Sequence, residues 1–501
     1  MRNPDIVIIG SGMGGASVAA GLSGSGAKVM ILEKGHQLPD IPETRDARAI
    51  FQRGFFRPDV MWRDKDGAFF NPGNYNYVGG NTKFFGAVLF RYRKEDFAEL
   101  EFAEGGVSPA WPFSYEELEP WYSRAEQLYQ ARGSIGDDAT EPRHSQPYPH
   151  PPVPDEPAIA RVRERLKSAG LHPASLPLGV DIDRWLQRAQ TPFDAFPDAR
   201  TGKMDAETCG LAAALADPDI SLETGAEVIR LETGEANRIS AIVYRQNGEE
   251  KRLSPKIVIL SAGAVHSALM LLKSADGRNP NGLANSSDQV GRNFMNHNAT
   301  FMLAIDPFTI NDSIYQKTLH FNDFYFDDGN GGGPLGQVQL LGKVSAPILK
   351  SQVNWMPEWA LQQVSKRSVD WYLVSEDLPR PESRVRWDGD TIVLEWRPSN
   401  MQAHHGLVAL TKERMRAAGY PIILTQLVDG RLPSHQCGTV RMGNDPASAP
   451  LDPWCRSYDH PNLFVIDAAF LPTSAAVNPS LTIAAQALRA AAHIRDKELA
   501  A

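Results

Sequence analysis

The chain has few cysteines, no basic cluster and no long apolar run, and each absence argues against a class of protein. Three cysteines, Cys209, Cys437 and Cys455, are too few and too scattered for a disulfide framework, which indicates a reducing, cytoplasmic compartment. A net charge of −9 without a basic cluster argues against a nucleic-acid or anionic-membrane surface. No apolar run approaches the ~20 residues that a membrane-spanning helix requires.

The rest of the composition is ordinary for a soluble globular protein. Hydrophobic residues make up 42% and charged residues 22%, so a sizeable core is possible. At 501 residues the chain exceeds one typical domain, and two or more are expected. It passes from Met1 almost directly into a strand, so we expect no signal peptide.

A dinucleotide-binding pattern opens the chain. The apolar run from Asp5 to Ile9 predicts a strand buried on both faces, and a G-x-G-x-x-G at 10–15 follows it, then helical composition. A second apolar run, from Lys28 to Leu32, ends at Glu33, eighteen residues after Gly15, where an acid that binds ribose is expected. The order of strand, turn, helix, strand and acid is much more specific than the glycines alone.

Each glycine of the pattern has a physical role. We expect Gly10 to permit a tight turn, Gly12 to let the backbone approach a pyrophosphate, and Gly15 to let helix and strand pack closely. The start of the helix would then face the phosphates. An NAD enzyme usually completes its sheet within about the next hundred residues, but here a further apolar strand appears only at Lys256 to Leu260. A dinucleotide domain with such distant segments favours a flavin.

The middle of the chain predicts helices, a proline-rich connection and hairpins. Ser114 to Tyr129 is typical of a helix with Ser114 and Glu117 in a capping box, and Pro154 to Ala169 predicts another helix. The proline-rich segment 142–154 fits a rigid connector better than a gating lid, and both stay open. Residues 66–93 predict a long loop near a ligand, and 321–336 a loop at a domain edge.

Two hairpins are predicted by their turns. One surrounds Asn247-Gly248, and the other runs from Arg384 to Trp396 around Asp388-Gly389, with apolar residues alternating along its strands. Many further strand-like runs lie between 300 and 400. We therefore expect a largely antiparallel second domain there.

Near the C-terminus, His435 in a glycine-rich turn and Asn478 before Pro479 lie 43 residues apart, with a buried strand from Leu463 to Asp467 between them. His435 is open to three interpretations: an ordinary turn residue, a metal ligand, or a general base. It lacks companions at metal-ligand spacing, and imidazole titrates near neutral pH, which favours the base. Asn478 fits a helix N-cap with Pro479 as the first helical residue, and also a contact to substrate.

Other residues with chemical potential have simpler interpretations. Cys437 is expected to be a small buried residue rather than a nucleophile. His297 is expected to be structural, and His404 and His405 to be surface residues, with contact to substrate as the alternative for one of them. Several tryptophans are candidates for stacking on a sugar, although core packing is favoured for the last of them: Trp355, Trp359, Trp371 and Trp396.

Six sequence blocks, in order, resemble the glucose-methanol-choline (GMC) family of flavoprotein oxidoreductases, and the likeness covers nearly the whole chain. The blocks are the glycine motif with Glu33, residues 78–87, 108–122, 258–271 and 290–297, and the C-terminal stretch with His435 and Asn478. The C-terminal pattern is similar to that of pyranose oxidases and related bacterial sugar dehydrogenases, since glucose oxidase has a second histidine where Asn478 stands.

The resemblance implies an FAD whose flavin ring lies between two domains. It implies that His435 removes a hydroxyl proton while hydride passes to the flavin, and that Asn478 holds the substrate oxygen. The cofactor-binding residues expected from the motif and the resemblance together are Gly10, Gly12, Gly14, Gly15, Glu33, Gly80, Asn81, Thr82, Val228, Ala262, Asp467, Ala468 and Pro479. No metal is expected.

One departure from pyranose oxidases concerns the bond to the cofactor. In those enzymes a loop histidine is bonded covalently to FAD, whereas the corresponding loop here, residues 79–85, has no histidine. We therefore predict non-covalent FAD.

The expected fold class is α/β. A Rossmann-like FAD-binding domain is assembled from residues 1–100, 200–298 and 431–501, and a helical and proline-rich connecting or lid region spans 101–199. An α+β substrate-binding domain with a largely antiparallel sheet spans 299–430.

The expected function is oxidation of a primary or secondary alcohol, on a sugar or glycoside, with oxygen, a quinone or a redox protein as electron acceptor. The alternatives are oxidation of a non-sugar alcohol, a non-redox flavin-dependent lyase on the same scaffold, and a binding or structural role with a vestigial site. Oligomeric state, exact substrate and the choice between oxidase and dehydrogenase are left open by the sequence.

Overall fold

A computed structural model of the protein describes residues 4–103, 105–188, 193–199, 202–329, 331–430 and 434–499. The domain limits placed at residues 1, 200, 431 and 501 lie outside these ranges. The division into domains stays a prediction, but the structure shows which sheet each described segment joins.

The first sheet is parallel and five-stranded, and its strands come from distant parts of the chain. In spatial order they are Leu463–Val465, Ile257–Leu260, Ile6–Ile9, Val29–Leu32 and Ile220–Glu223. The central strand, Ile6–Ile9, is buried along its whole length, as expected for an apolar run covered on both faces. This sheet confirms the α/β class and the discontinuous assembly.

Helices cover this sheet and join the two ends of the chain. Helix Met13–Leu22 follows the first strand and packs against Ser480–His493, which in turn packs against Tyr115–Leu128. The predicted capping box of Ser114 and Glu117 is present at the start of Tyr115–Leu128. The α-helices in chain order are Met13–Leu22, Tyr115–Leu128, Pro157–Ser168, Ile182–Arg188, Ala212–Ala214, Ala264–Lys273, Ala346–Gln352, Glu358–Ser365, Met401–Ala417 and Ser480–His493.

The second large sheet is antiparallel and six-stranded, as predicted for the region after residue 300. In spatial order its strands are Ile422–Leu427, Asn298–Ile305, Ser368–Ser375, Gln337–Leu340, Leu319–Phe321 and Ala174–Ser175. One face carries Met302, Trp371 and Leu373 into a core that also contains Leu407 of helix Met401–Ala417. The burial of Trp371 in this core means that it cannot stack on a sugar.

Both predicted hairpins form. Ile239–Gln246 pairs with Glu249–Leu253 in a three-stranded sheet completed by Glu227–Thr233. Arg384–Trp387 pairs with Ile392–Glu395, and this hairpin lies outside the six-stranded sheet.

The second hairpin belongs to a separate four-stranded sheet. Ile392–Glu395 pairs in parallel with Trp62–Asp64, which pairs with Phe69–Phe70. Its apolar face packs on Val265 and Leu269 of helix Ala264–Lys273, because Val385 and Leu394 need an apolar surface and this helix offers one. A short pair, Leu100–Glu101 with Val107–Ser108, completes the strands.

Several local predictions need small corrections. The helix expected from Pro154 is Pro157–Ser168, with Glu156 at its N-cap. The 66–93 loop is interrupted by Phe69–Phe70 and by a 3₁₀ helix, Gly80–Lys83. All three cysteines are free and buried. None of the helices within the described ranges is long and apolar enough to cross a membrane.

Candidate active site

The glycine-rich turn connects the first strand to the first helix. Gly10 has φ +103°, and a Cβ on it would lie 2.3 Å from the Ser261 carbonyl oxygen. A Cβ on Gly15 would lie 2.0 Å from the Gly10 carbonyl oxygen, and one on Gly14 would lie 2.0 Å from the Ile466 carbonyl oxygen. A Cβ on Gly12 would meet no atom within 4 Å. Gly12 thus borders open space where a ligand can approach the backbone, while its neighbours are glycines because the packing is close.

Glu33 is buried at the end of the second strand, beside this turn. Its carboxylate accepts hydrogen bonds from the Ser11 backbone N–H at 3.0 Å, the Ser11 hydroxyl at 2.6 Å and the Gly35 N–H at 2.7 Å. A carboxylate has about four acceptor positions, so one remains for a ligand hydroxyl. The Ala226 N–H donates to the Glu33 carbonyl oxygen at 2.9 Å, which places Val228 two residues beyond this contact.

The loop with Gly80, Asn81 and Thr82 approaches the glycine turn. A Cβ on Gly80 would lie 3.3 Å from the Gly12 Cα. The Thr82 hydroxyl donates to the Gly79 carbonyl oxygen at 2.6 Å, and the exposed Asn81 accepts from the Tyr75 N–H at 2.9 Å. The loop is thus held in shape against the turn by its own side chains.

Asp467 ties the last strand to the start of helix Ala264–Lys273. Its carboxylate accepts from the Ser267 hydroxyl at 2.5 Å, the Gly263 N–H at 2.9 Å and the Ala469 N–H at 2.7 Å. The Ala262 N–H donates to the same Ser267 hydroxyl at 3.1 Å. Burial raises the pKa of Asp467, against the lowering effect of these donors. The carboxylate therefore orders the ends of two neighbouring strands.

Ala468 connects this region to the turn of His435. The Gly438 N–H donates to the Ala468 carbonyl oxygen at 3.1 Å. Gly438 has φ +85°, and a Cβ on it would lie 2.6 Å from the Asn293 carbonyl oxygen, so this turn requires glycine. The segments that contain Asn293, Gly438 and Ala468 thus converge at this turn.

The structure brings His435 and Asn478 together. Asn478 Nδ2 lies 3.4 Å from His435 Nε2, and Asn478 Oδ1 accepts from Gln339 Nε2 at 3.2 Å. Both side chains are partly buried. The helix after Asn478 is Ser480–His493 with Pro479 at its N-cap, so the prediction of Asn478 as N-cap and Pro479 as first helical residue is wrong by one position. That shift leaves the Asn478 amide directed at His435 and Gln339 instead of at the helix backbone.

His435 is held from behind by the segment that contains His297. The backbone N–H of His435 donates to Asn296 Oδ1 at 2.8 Å. In the side chain, His435 Nδ1 lies 2.8 Å from His297 Nδ1. Burial lowers the pKa of His435 well below its ordinary value, and the charge of Lys317 lowers it further. Burial likewise lowers the pKa of His297 to about 4. Both imidazoles are therefore neutral near pH 7.

The face of the six-stranded sheet opposite its core completes the site. The register places Gln339 beside Tyr372 and His320, and Gln337 lies two residues away on the same face. Several polar atoms here are buried without a partner in the described part of the chain: Gln337 Oε1 and Nε2, Gln339 Oε1 and His320 Nδ1. Sequence reasoning missed these residues, although the alternation of QVQL in Gln337–Leu340 could have indicated a strand with one polar face.

Two histidine interpretations change. His404 is wholly buried, with its ring 2.8 Å from the Thr300 hydroxyl and 3.0 Å from the Ser375 hydroxyl, so its expected surface position is wrong, whereas His405 is exposed. His297 was expected to be structural, and its contact with His435 was missed. Within the described ranges no cluster of three or more histidine, cysteine or acidic residues is suited to a metal ion.

Comparison with known proteins identifies the class to which this fold and site belong. Two family models, both described as GMC oxidoreductase, match residues 5–299 and 424–487. The chain therefore belongs to the GMC oxidoreductase family, and it is an oxidoreductase that binds FAD. The glycine turn, the free acceptor position of Glu33 and the space beside Gly12 fit such a cofactor.

Individual relatives are similar over nearly their whole length. The chain is 28% identical to the 6'''-hydroxyparomomycin C oxidase of Streptomyces lividus, over 97% of this chain and 90% of that protein. It is 28% identical to the 2-methyl-1,2-propanediol dehydrogenase of Mycolicibacterium austroafricanum, over 98% and 95% respectively. The crystal structure of pyridoxine 4-oxidase from Mesorbium loti matches with a TM-score of 0.68 at 18% identity, over 98% of this chain and 99% of that one. The structural match confirms the fold.

Proposed function

We propose that the protein oxidises a hydroxyl group of a sugar or glycoside, with His435 as the general base. The observation that carries the proposal is the approach of His435 Nε2 and Asn478 Nδ2 to 3.4 Å, beside a polar sheet face. The relatives' names include both a hydroxyparomomycin oxidase and a propanediol dehydrogenase, so they support alcohol oxidation without choosing its substrate.

The two side chains are suited to opposite ends of one hydroxyl group. A substrate hydroxyl within hydrogen-bonding distance of both nitrogens would accept a hydrogen bond from Asn478 Nδ2 and donate its own hydrogen to His435 Nε2. Bound FAD would accept the hydride that leaves the carbon bearing this hydroxyl. Neutral His435 can take the proton, because its lowered pKa keeps Nε2 free at pH 7. Gln339 keeps the Asn478 amide oriented by donating to its oxygen.

The sheet face favours a substrate with several hydroxyls over a simple alcohol. A buried polar atom without a partner costs about 1–3 kcal/mol. Gln337 has two such atoms and Gln339 and His320 one each among the described residues. A single-hydroxyl substrate held by His435 and Asn478 would leave these atoms without partners, whereas a sugar offers further donors and acceptors in one ligand.

We further propose that FAD is held without a covalent bond. The loop 79–85 contains no histidine or cysteine. Its Lys83 is buried and paired with Asp205 and Glu207, both at 2.8 Å, and its Thr82 hydroxyl donates within the loop. Acid precipitation should release the yellow flavin into the supernatant, and colour retained in the pellet would contradict the proposal.

An anaerobic screen tests the substrate class. Purified holoenzyme is mixed with sugars, glycosides, diols and simple monohydric alcohols, and the loss of absorbance near 450 nm is followed. We expect bleaching by sugars or glycosides at concentrations where monohydric alcohols have no effect. Bleaching by simple alcohols alone would contradict the sugar assignment, and no bleaching by any alcohol would contradict the function. Admission of air afterwards distinguishes oxygen from a quinone or redox protein as acceptor.

We also propose that the protein is located in the cytoplasm. Cys209, Cys437 and Cys455 are buried and unpaired, which supports the reducing cytoplasm as the compartment. Fractionation of cells that produce the native protein should recover flavin and polypeptide together in the cytoplasmic fraction, and recovery outside the cytoplasm would contradict this.

A further inference from the structure

We infer that His297 is a positioning residue that fixes the proton of His435 on Nδ1 and so leaves Nε2 free to act as the base. The inference rests on the proposed function of His435 and adds a residue to it. It is carried by hydrogen bonds that connect Ser474, His297, His435 and Asn478.

The ring hydrogen of His297 lies on Nε2. Its Nε2 lies 3.0 Å from the Ser474 carbonyl oxygen. A carbonyl oxygen can only accept, so Nε2 carries the hydrogen. The ring is 3% exposed and neutral, and a neutral imidazole carries only one N–H. Nδ1 of His297 therefore presents a lone pair.

The lone pair on His297 Nδ1 determines the tautomer of His435. The two Nδ1 atoms are 2.8 Å apart, and the rings meet edge to face at 71°. Since His297 Nδ1 is an acceptor, His435 Nδ1 must be the donor. Neutral His435 then has no hydrogen on Nε2, the atom that faces Asn478 Nδ2. The opposite tautomer would place two lone pairs against each other at this distance.

Backbone hydrogen bonds hold the segments of His297 and His435 together. Met295 and Cys437 exchange both of their backbone hydrogen bonds, each at 3.0 Å, and Asn296 Oδ1 accepts from the His435 N–H. The segment before His297 is thus bonded directly to the segment after His435. A change in the His297 ring therefore acts on a partner whose position is otherwise fixed.

The hydrogen bond from His435 Nδ1 to His297 Nδ1 also persists after proton transfer. When His435 accepts a proton on Nε2 it keeps the hydrogen on Nδ1, and His297 Nδ1 continues to accept it. A neutral acceptor leaves the pKa of His435 low, whereas a carboxylate in the same place would raise it. His297 therefore sets both the tautomer and the basicity of His435.

The test compares His297→Phe, His297→Asn and His297→Asp, with His404→Asn as the control for loss of another buried histidine. Anaerobic stopped-flow absorbance gives the rate constant of flavin reduction across pH, with bound FAD checked from the spectrum. We expect His297→Phe to slow reduction by about 10²–10⁴-fold, because the Nδ1 proton loses its acceptor and the ring can adopt the inactive tautomer. His297→Asn should recover most of this loss, since its side-chain oxygen can accept the same proton.

The pH profile separates positioning from general damage. His297→Asp should move the acid limb of the profile to higher pH, because a carboxylate beside His435 favours the charged imidazole. His404→Asn should leave the limb where it is in the wild type. If His297→Phe fails to bind FAD, the Asn and Asp variants still decide the matter, and identical profiles for the two would overturn the inference. A His297→Phe rate equal to that of the wild type would overturn it as well.

A readout independent of turnover completes the design. The enzyme has 12 histidines, and ¹⁵N-histidine labelling with a His435→Ala reference identifies the His435 signals. We expect a protonated Nδ1 and a bare Nε2 in the resting enzyme, and a protonated Nε2 would overturn the inference. If no alcohol reduces the wild-type flavin while the tautomer is as expected, the proposed function fails and the positioning role of His297 stands.

Discussion

Substitution of Gln337 by leucine should have opposite effects on stability and on catalysis. The side chain is wholly buried, and both its amide atoms lack a partner among the described residues. Leucine has a similar volume and no polar atoms, so the substitution removes a penalty of about 1–3 kcal/mol in the substrate-free enzyme. The melting temperature should therefore rise by about 1–3 °C, because a chain of 501 residues has an entropy of unfolding of about 1 kcal/mol per degree.

The same substitution should weaken the handling of a sugar. If substrate hydroxyls are the missing partners of Gln337, the loss of about 1–3 kcal/mol corresponds to roughly 5–150-fold in kcat/KM. A short alcohol that reaches only His435 and Asn478 should be oxidised at an unchanged rate. Kinetics with both substrates and a thermal melt of the holoenzyme measure the two effects.

Gln316 provides a matched control for Gln337. It is also wholly buried on a neighbouring segment, but its amide is satisfied. Its Nε2 donates to the Leu341 carbonyl oxygen at 3.1 Å and to Asp370 at 3.0 Å, and its Oε1 accepts from Asn311 at 2.9 Å. Gln316→Leu should therefore destabilise the protein. A destabilised Gln337→Leu enzyme with unchanged sugar kinetics would refute the assignment of these atoms to a ligand.

Three further predictions concern the base and the cofactor. His435→Ala should keep its FAD but slow flavin reduction by ~10²–10⁴-fold in anaerobic stopped flow, and unchanged bleaching would exclude it as the base. Because burial lowers the pKa of His435 well below 6.5, this base is still neutral at pH 6.5, and the rate constant of flavin reduction should decline only well below that pH. A rate constant that has fallen to half its maximum at pH 6.5 or above would contradict this. Gly12→Ala should fold, since a Cβ meets no atom within 4 Å, yet bind FAD weakly. Gly15→Ala should lose stability, because its Cβ would lie 2.0 Å from a carbonyl oxygen; the ratio of flavin to protein absorbance and a thermal melt distinguish the two variants.

The N-terminal strand, glycine turn and second strand could be predicted from sequence, because each is specified locally. Ile6–Ile9 is an apolar run, and Gly10 must have a positive φ where it meets Ser261. The hairpin around Asn247-Gly248 is equally local, since both residues adopt positive φ in a tight turn. The other hairpin formed as predicted, but its neighbours did not follow from its pattern. An apolar face specifies that it must be buried, and does not specify the surface that covers it.

The contact between His297 and His435 could not be predicted, because 138 residues separate the two rings. It depends on the pairing of Met295 with Cys437, an isolated bridge without a strand pattern. The polar face of Gln337–Leu340 was missed for a related reason. Alternation of polar and apolar residues predicts that the two faces of the strand have different surroundings. Only the tertiary structure shows that Gln339, on the polar face, donates a hydrogen bond to Asn478.

The surroundings of His435 resolve a conflict between basicity and charge. A hydroxyl that loses its proton becomes more negative, so a positive environment favours the reaction, yet a positive environment also makes a histidine a weaker base. Lys317 is buried close enough to lower the pKa of His435, and it is paired with Asp194, which also accepts from the Gly342 N–H at 3.0 Å. The pairing moderates the positive charge that reaches His435. The N-terminus of helix Ser480–His493, two residues after Asn478, adds a partial positive charge that carries no proton. In the proposed reaction, the site would therefore stabilise the negative charge that develops on the substrate oxygen, and His435 would be neutral, with Nε2 available, until it takes the proton.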